Sequence, residues 1–290
     1  MRWILYPLIL VVGLFAIGIA VAAIVLVLTY PNLPSLEVLT DYRPKVPLRV
    51  FTADGQLIGE FGEERRNVVR IEDVPAAMKQ AILAAEDERF YQHGGIDTLG
   101  MARAAIMNLT SGGKKQGAST ITQQVARNFF LSSEKTYTRK LYEVLLSFKI
   151  EHNLSKDQIL ELYVNQIFLG QRAYGFSAAA QIYFGKPLKD LTPAEAAMLA
   201  GLPKAPSTFN PVVNPKRAKL RQQYVLRRMR EMGALDDKQY EAAIKQALVI
   251  KRDASEFSAH AEYVAEMARQ ITAERYFADK LNLIDRDTPF

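Results

Sequence analysis

Three carboxylates lie together near the start of the stretch from Glu86 to Gly95, at the end of an otherwise apolar segment. Glu86, Asp87 and Glu88 follow one another directly. Paired carboxylates are the usual acid and base groups of enzymes that act at the anomeric carbon of a sugar, provided that their pKa and position suit the hydroxyl concerned. A solvated helix end has the same local composition, so this cluster alone leaves both interpretations open.

A second cluster collects hydroxyl and amide side chains between Gly117 and Gln124. Thr120, followed three residues later by Gln123, has the spacing of a capping box, which places the cluster at a helix N-terminus. The free backbone N–H groups and the helix dipole favour an anion at such a terminus. Simple capping explains half of the pattern without any ligand.

A third cluster joins opposite charges on one predicted helix. Arg139 and Glu143 are four residues apart and therefore share a helix face, with Lys140 beside them in the sequence. The same spacing is as common in surface ion pairs as in functional sites. The spacing by itself does not choose between the two.

Composition narrows the classes of protein to consider. The 290 residues are 49% apolar and 23% charged, as in a globular protein of one or two domains, and they include no cysteine. This excludes disulfide frameworks, thiol catalysis and cysteine-based zinc sites, and His93, His152 and His260 are too scattered for a metal cage. The net charge of +6 and the pI of about 9.3 favour anionic lipid or a phosphorylated substrate as partner. No nucleic-acid-binding motif supports a nucleic-acid partner.

The N-terminal segment is long and apolar enough to cross a membrane. Residues 3–36 carry no charged side chain, and a bilayer core about 30 Å thick needs only roughly 20 apolar helical residues. The alternative is a cleaved signal peptide, whose apolar region is shorter, about 7 to 15 residues. Arg2 precedes the span and Arg43 is the next basic residue. We therefore expect a single span with a cytoplasmic N-terminus and an exported remainder.

Beyond this segment, the pattern predicts one strand pair and then helices. A strand, a turn and a second strand are predicted over residues 48–61. The period then becomes helical, with one helix from Pro75 to about Phe90 and another over residues 99–109. The glycine-rich stretch 111–117 is predicted to be a loop of the kind that often forms a mobile lid.

Later helices are marked by their starts. Capping boxes begin at Thr120, Ser155 and Thr192. Residues 216–232 are predicted to form a strongly basic helix with a solvated face, for which contact with anionic lipid is the alternative, and residues 236–248 form a further helix. The predicted fold class is therefore mainly α.

Taken together and in this order, the three clusters resemble the motifs of glycosyltransferase family 51. This is the peptidoglycan polymerase domain of class A penicillin-binding proteins and of monofunctional transglycosylases. The family motif E-D-x-x-F-x-x-H-x-G is met over residues 86–95, and G-x-S-T-x-T-Q-Q over residues 117–124. The third motif is met at Arg139, Lys140 and Glu143. Further matches follow at Tyr163–Asn165, Gly170, Gly175, Tyr183–Lys186, Ala200–Pro206, Asn210 and Pro211.

The resemblance implies a lysozyme-like, mainly α glycosyltransferase domain with a small β-hairpin and an N-terminal transmembrane helix. It implies that lipid II is polymerised into β-1,4-linked glycan strands, with inversion and release of polyprenyl pyrophosphate. Glu86 matches the family's general base, and Glu143 matches its second carboxylate, on the leaving-group side. The resemblance assigns substrate binding to Asp87, Phe90, Ser119, Thr120, Gln123, Arg127, Lys135, Arg139 and Lys140.

The resemblance also implies partners and a location. The partners are lipid II, the lipid-linked glycan chain, membrane lipids and inhibitors of the moenomycin type, and the family allows contacts with other cell-wall synthesis proteins. No metal is implied by a protein motif, although the family allows a divalent cation (Mg²⁺ or Mn²⁺) with the pyrophosphate. The catalytic domain is expected on the outer, periplasmic or extracellular, face of the cytoplasmic membrane. His93 is expected to be a structural hydrogen-bonding residue.

We divide the chain into four segments. Residues 1–30 are the cytoplasmic tip and anchor, 31–70 the linker and hairpin, 71–250 the glycosyltransferase domain, and 251–290 the start of a linker to a transpeptidase domain. Transpeptidases combine S-x-x-K with S-x-N and K-T-G, and because K-T-G does not occur here, we expect no transpeptidase activity in this chain.

Two functions of other classes remain as alternatives. A lytic enzyme would cleave glycan, but the cations around Glu143 would then have no pyrophosphate to stabilise. A non-catalytic scaffold of the cell-wall machinery would have no need of the intact motifs.

Overall fold

α-Helices form about half of the residues that the computed structural model describes. It describes residues 30–40, 47–62, 64–110, 119–131, 136–251, 262–272, 274 and 275, together with scattered positions between 6 and 29. The α-helices are α1 (Glu37–Thr40), α2 (Ala76–Glu86), α3 (Thr98–Thr110), α4 (Ile121–Phe130), α5 (Tyr137–Asn153), α6 (Lys156–Gln166), α7 (Phe176–Phe184), α8 (Pro193–Ala200), α9 (Pro215–Glu231), α10 (Asp237–Lys245) and α11 (Glu262–Thr272). The mainly α fold class is confirmed.

Two small sheets accompany the helices. Strands β1 (Leu48–Phe51) and β2 (Leu57–Phe61) pair antiparallel across a turn, as predicted. Strands β3 (Arg65–Arg66) and β4 (Ala173–Tyr174) pair in parallel although they are more than 100 residues apart, and no sequence pattern predicted this pair. It joins the segment after the hairpin to the segment between α6 and α7.

The core is built where small residues let helices approach closely. Helix α2 packs against α8 and α9, and α4 packs against α5 and α6. Ala81 of α2 is fully buried, as are Ala194, Ala196 and Ala197 of α8. Side chains of this size leave room for Met78 and other large apolar groups of the core.

Helix starts follow the predicted capping boxes. Thr120, Ser155 and Thr192 each accept a hydrogen bond from the backbone N–H three residues on, and the Gln or Glu at that position reaches back. Asp236 caps α10 in the same way; a helix from this residue was predicted, but its capping box was not.

The end of α2 differs from the prediction. The helix stops at Glu86 rather than near Phe90, because Asp87 leaves the helical region with φ of −158° and ψ of 78°. Its backbone N–H still donates to Leu83 O at 2.9 Å. Residues 90–92 form a separate 3₁₀ turn, so the carboxylate cluster lies at a break in the chain direction.

Residues 30–40 pack onto the core. Leu33 and Leu39 are buried in the same apolar cluster as α2 and α6. The Lys149 ammonium of α5 donates to Pro34 O at 2.9 Å. The segment before the hairpin is therefore held against the helical domain.

Some predictions concern residues that the structure does not describe. In the part of the chain that the structure describes, no helix combines the length and apolar character needed to cross a bilayer. Most of the predicted span 1–30 lies outside the described residues, as do the glycine-rich loop 111–117 and much of segment 251–290.

Candidate active site

A cavity of about 540 Å³ opens where the end of α2, the start of α4 and the middle of α9 meet. Its wall carries charge of both signs. The carboxylates are Glu86, Asp87, Glu88 and Asp97, and the cations are Arg103, Arg127, Lys204, Arg221 and Arg228.

Glu86 is the last residue of α2 and borders this cavity. Its side chain is 13% exposed. The Gln124 side-chain amide donates to Oε2 at 2.8 Å, and Arg221 Nη2 lies 3.8 Å from Oε1. A solvated helix end therefore does not describe this residue.

Burial raises the pKa of Glu86 above its ordinary value. The Gln124 hydrogen bond and the charges of Arg221, Lys204 and Arg127 oppose that rise without cancelling it. A carboxylate with a raised pKa is a stronger base once it is ionised, and this is the property that general base catalysis near neutral pH requires.

Asp87 points to the neighbouring helix. Its Oδ2 accepts a hydrogen bond from the backbone N–H of Ile121 at 3.0 Å, and its Oδ1 lies 2.9 Å from His93 Nε2. The negative charge thus lies at the N-terminus of α4, where the helix dipole favours it. His93 occupies the hydrogen-bonding position that was expected for it.

Phe90 lies below the carboxylates and is fully buried. The Lys156 ammonium is 4.4 Å from the centre of its ring and donates to His93 O at 2.6 Å. Phe90 does not line the cavity, so its contacts support the chain that follows Glu86.

The second cluster lies at the N-terminus of α4. The Thr120 hydroxyl caps this helix and donates to Gly95 O at 2.6 Å. Ser119 and Thr120 border the cavity, whereas Gln123 closes the capping box from inside. Capping is therefore present, and it also brings the first two motifs together.

The third cluster centres on a buried carboxylate. Glu143 is 1% exposed and accepts hydrogen bonds from Arg139 at 3.2 Å and Lys140 at 3.0 Å. The Lys140 ammonium also donates to Ser119 Oγ at 3.2 Å and Gln123 Oε1 at 3.3 Å. A surface ion pair is the wrong description, because this lysine links the second and third motifs around a buried charge.

The remaining predicted residues divide between these places. Arg127 borders the cavity together with Glu86, while Glu143 does not. Lys135 lies outside the described residues.

Four further residues near Glu86 were given no site role from the sequence, although Gln124, Tyr163 and Lys204 lie in the matched motifs and only Arg221 lies outside them. Gln124 and Arg221 contact its carboxylate, and Lys204 borders the same cavity. Tyr163 is fully buried, and its hydroxyl has no hydrogen-bond partner among the described residues. Burial and the charge of Glu86 raise the pKa of Tyr163.

The basic helix α9 has the predicted solvated face, with Lys216, Arg217, Arg227 and Arg230 exposed, but Arg221 is buried on its other face. Its buried positions are Ala218, Arg221, Gln222, Val225, Leu226 and Met229, an apolar stripe in which two positions are polar. Arg221 and Gln222 occupy core-facing positions of the helix, and this can be recognised from the spacing of the apolar residues but not from the charge pattern. Arg228, seven residues beyond Arg221, also borders the cavity and pairs with Glu88 at 2.5 Å.

Among the described residues, no group of three or more His, Asp or Glu side chains is placed to hold a metal ion. The buried Glu143 carboxylate is engaged by two cations.

Comparison with known proteins identifies relatives along most of the chain. The family model described as Transglycosylase matches residues 54–230. Penicillin-binding protein 1A of Neisseria meningitidis serogroup B is 56% identical over 270 residues, which cover 93% of this chain and 34% of that protein. The same-named protein of Pseudomonas aeruginosa is 49% identical over 246 residues, covering 85% and 30%.

A crystal structure of penicillin-binding protein 1A from Haemophilus influenzae is also similar. It shares 34% identity with a TM-score of 0.47, covering 81% of this chain and 25% of that one. This chain spans about a third of the length of the curated relatives that it matches. The family match covers more than half of the chain and includes all three motifs. The resemblance is thereby confirmed, and this chain belongs to the transglycosylase family.

Proposed function

We propose that this chain is a peptidoglycan glycosyltransferase that polymerises lipid II in cell-wall synthesis. The observation that carries the proposal is the Glu86 carboxylate, which is buried at the edge of a charged cavity and has a raised pKa. Family membership supplies the reaction class, and the site supplies a base of suitable character.

In the proposed reaction, Glu86 takes the proton of the acceptor sugar's 4-hydroxyl. The acceptor oxygen forms a bond to the anomeric carbon of the growing chain, and the bond from that carbon to the pyrophosphate oxygen breaks. The electron pair leaves with polyprenyl pyrophosphate. Attack from the opposite face inverts an α-linked donor into a β-1,4 linkage, and Glu86 then returns its proton to solvent.

The leaving group is proposed to lie beside the third cluster. Negative charge grows on the pyrophosphate in the transition state, so fixed cations there lower the barrier. Arg139 and Lys140 supply those cations, and Glu143 holds them in position. Ser119, Thr120, Gln123, Arg127 and Lys135 are proposed to complete the substrate contacts.

Asp87 and Phe90 are proposed to act through the backbone. The hydrogen bond from Ile121 N–H to Asp87 fixes the residue that follows Glu86, and Phe90 fills the space below it. Both keep the base at the cavity edge.

The apolar residues 3–28 support a membrane-anchored enzyme with its catalytic domain outside the cytoplasmic membrane. The proposed segments of the chain are residues 1–30, 31–70, 71–250 and 251–290. The proposed partners are lipid II, the lipid-linked glycan chain, membrane lipids and moenomycin-type inhibitors. A lysozyme-like arrangement of the helices remains part of the proposal.

One assay tests the proposal against its alternatives. The chain is incubated with lipid II in detergent, and the products are separated by size. Polymer is expected. Shortening of preformed glycan instead would indicate a lytic enzyme, and no change in either substrate would indicate a scaffold. A parallel sample with chelator tests whether the reaction needs a divalent cation.

A further inference from the structure

We propose that Arg221 is a positioning residue that keeps the Glu86 carboxylate ionised and oriented toward the acceptor. The proposal rests on the function proposed above. It adds a residue of α9, outside the three motif clusters, to the machinery of the base.

Arg221 holds the end of the helix that carries the base. Its Nη2 donates to Ala85 O at 3.4 Å and lies 3.8 Å from Glu86 Oε1. The last carbonyls of a helix lack partners within the helix, and the helix dipole favours a cation there. One guanidinium group therefore serves both the backbone end of α2 and the carboxylate next to it.

The guanidinium group is itself fixed in place. Nε donates to Gly201 O at 3.4 Å, and the group lies 4.6 Å from the centre of the Tyr224 ring. A Cβ atom on Gly201 would lie 2.8 Å from Arg221 Cγ, so glycine at this position leaves room for the side chain. With 8% of its side chain exposed, Arg221 is a buried cation for which Glu86 is the adjacent carboxylate. Buried charges are costly unless they are paired.

Other charged groups also face the base. They are Lys204 on the loop after α8, Arg127 on α4 and, as a titratable phenol, Tyr163 on α6. Glu86 Oε1 has no hydrogen-bond partner among the described residues. Among the residues that the structure describes, Arg221 is the cation that lies within 4 Å of this oxygen. The cavity wall also carries Asp87 and Glu88, which directly follow Glu86 in the sequence. Asp97, Arg103 and Arg228 are further charged residues of this wall.

These surroundings act in opposite directions on Glu86. Burial favours the neutral acid, which cannot accept a proton, and Arg221 favours the carboxylate. Removing the Arg221 charge should therefore raise the pH at which the base becomes active. A purely structural arginine would affect all pH values alike.

The test is the pH dependence of kcat/KM for polymerisation of lipid II by the full chain in detergent, between pH 5 and 9. Arg221→Met should move the acid limb upward by about 1 pH unit or more, as expected for loss of an opposite charge within about 4 to 6 Å. On that limb, activity should fall about tenfold and recover toward pH 9. Arg221→Lys keeps the charge and should keep the limb near that of the wild type. Arg217→Met, an exposed position of the same helix, should leave the profile unchanged.

Several outcomes would overturn the inference. An equal loss at all pH values in folded Arg221→Met would indicate a structural role, and an unshifted limb with normal activity would indicate no role. If Arg221→Met does not fold, Tyr224→Leu tests the same idea, because it removes the ring beneath the guanidinium. The limb should then move in the same direction by a smaller amount, and an unmoved limb would reject the proposal. Wild-type protein that makes no polymer at any pH would overturn the proposed function, whereas active wild type with an unmoved limb in the variants overturns this inference alone.

Discussion

Glu86→Gln should lower the rate of polymerisation and, at high pH, raise the stability of the fold. The amide keeps the shape of the carboxylate and can still accept the hydrogen bond from Gln124, whose donor atom lies 2.8 Å away in the wild type. It cannot take a proton from a sugar hydroxyl. Polymerisation should therefore fall by about two to four orders of magnitude, the usual contribution of a general base.

The same substitution should stabilise the fold at high pH. The pKa of Glu86 is raised from its ordinary value of 4.5 because of burial. The contribution of Glu86 to stability is therefore most favourable below the pH at which the unfolded chain ionises, and it is lost as the pH rises through the folded-state pKa. Each pH unit between the two pKa values is worth about 1.4 kcal/mol. A gain of 1 kcal/mol raises the Tm of a chain of this size by about 2 to 4 °C.

Two measurements on the same preparation check this reasoning. Lipid II turnover is followed at pH 7.5, and thermal unfolding of wild type and variant is compared at pH 4 and pH 8. The variant should melt higher at pH 8, with the difference disappearing toward pH 4. Near-normal turnover in the folded variant would refute Glu86 as the base and direct attention to Asp87 or Glu88. A variant that melts lower at pH 8 would refute the claim that the buried, ionised carboxylate of Glu86 destabilises the fold.

Three further predictions concern other parts of the chain. Glu143→Gln should lower turnover and also weaken binding of a moenomycin-type donor mimic by about tenfold, or 1.4 kcal/mol, because the two cations lose their buried anion; unchanged affinity by titration would argue against a role beside the leaving group. Gly175→Ala should destabilise the fold by about 1 to 3 kcal/mol, since φ is +86° and the new Cβ would lie 2.8 Å from Asn165 O; Gly94→Ala, with open space around it, is the control in thermal unfolding. Deleting residues 1–30 should reduce activity on lipid II in vesicles more than in detergent, and equal losses would reject an anchoring role.

Local signals predicted the elements of this fold well. Capping at Thr120, Ser155 and Thr192 depends on side chains three residues apart, so it is visible in the sequence. The hairpin over residues 48–61 has a similarly local cause. The end of α2 was predicted too late because the residues after Glu86 are still of helix-forming types. Asp87 nevertheless leaves the helix, and its carboxylate accepts a hydrogen bond from the distant Ile121 N–H.

Motifs named several residues of the candidate site from the sequence, whereas the place of Arg221 depends on how distant helices pack. Glu86 and Glu143 were named from their motifs, but whether they were buried depended on helices that pack from elsewhere in the chain. Arg221 lies 135 residues beyond Glu86 and belongs to a helix whose many cations suggested a solvated face. Only the stripe shared with Val225 and Met229 distinguishes it from its exposed neighbours.

The packing of residues 30–40 against the core has a consequence for how the domain moves. With Leu33 and Leu39 buried and Pro34 bonded to Lys149, residues 30–40 are held against the domain and add no flexible spacer of their own. A long, loose tether would let the domain tumble over a wide volume, whereas a direct junction leaves few rotational degrees of freedom. If the preceding residues lie in a bilayer, the cavity is held at one height and one tilt above it. Lengthening this junction with glycine and serine would therefore reduce how often the cavity meets a headgroup that cannot leave the membrane plane.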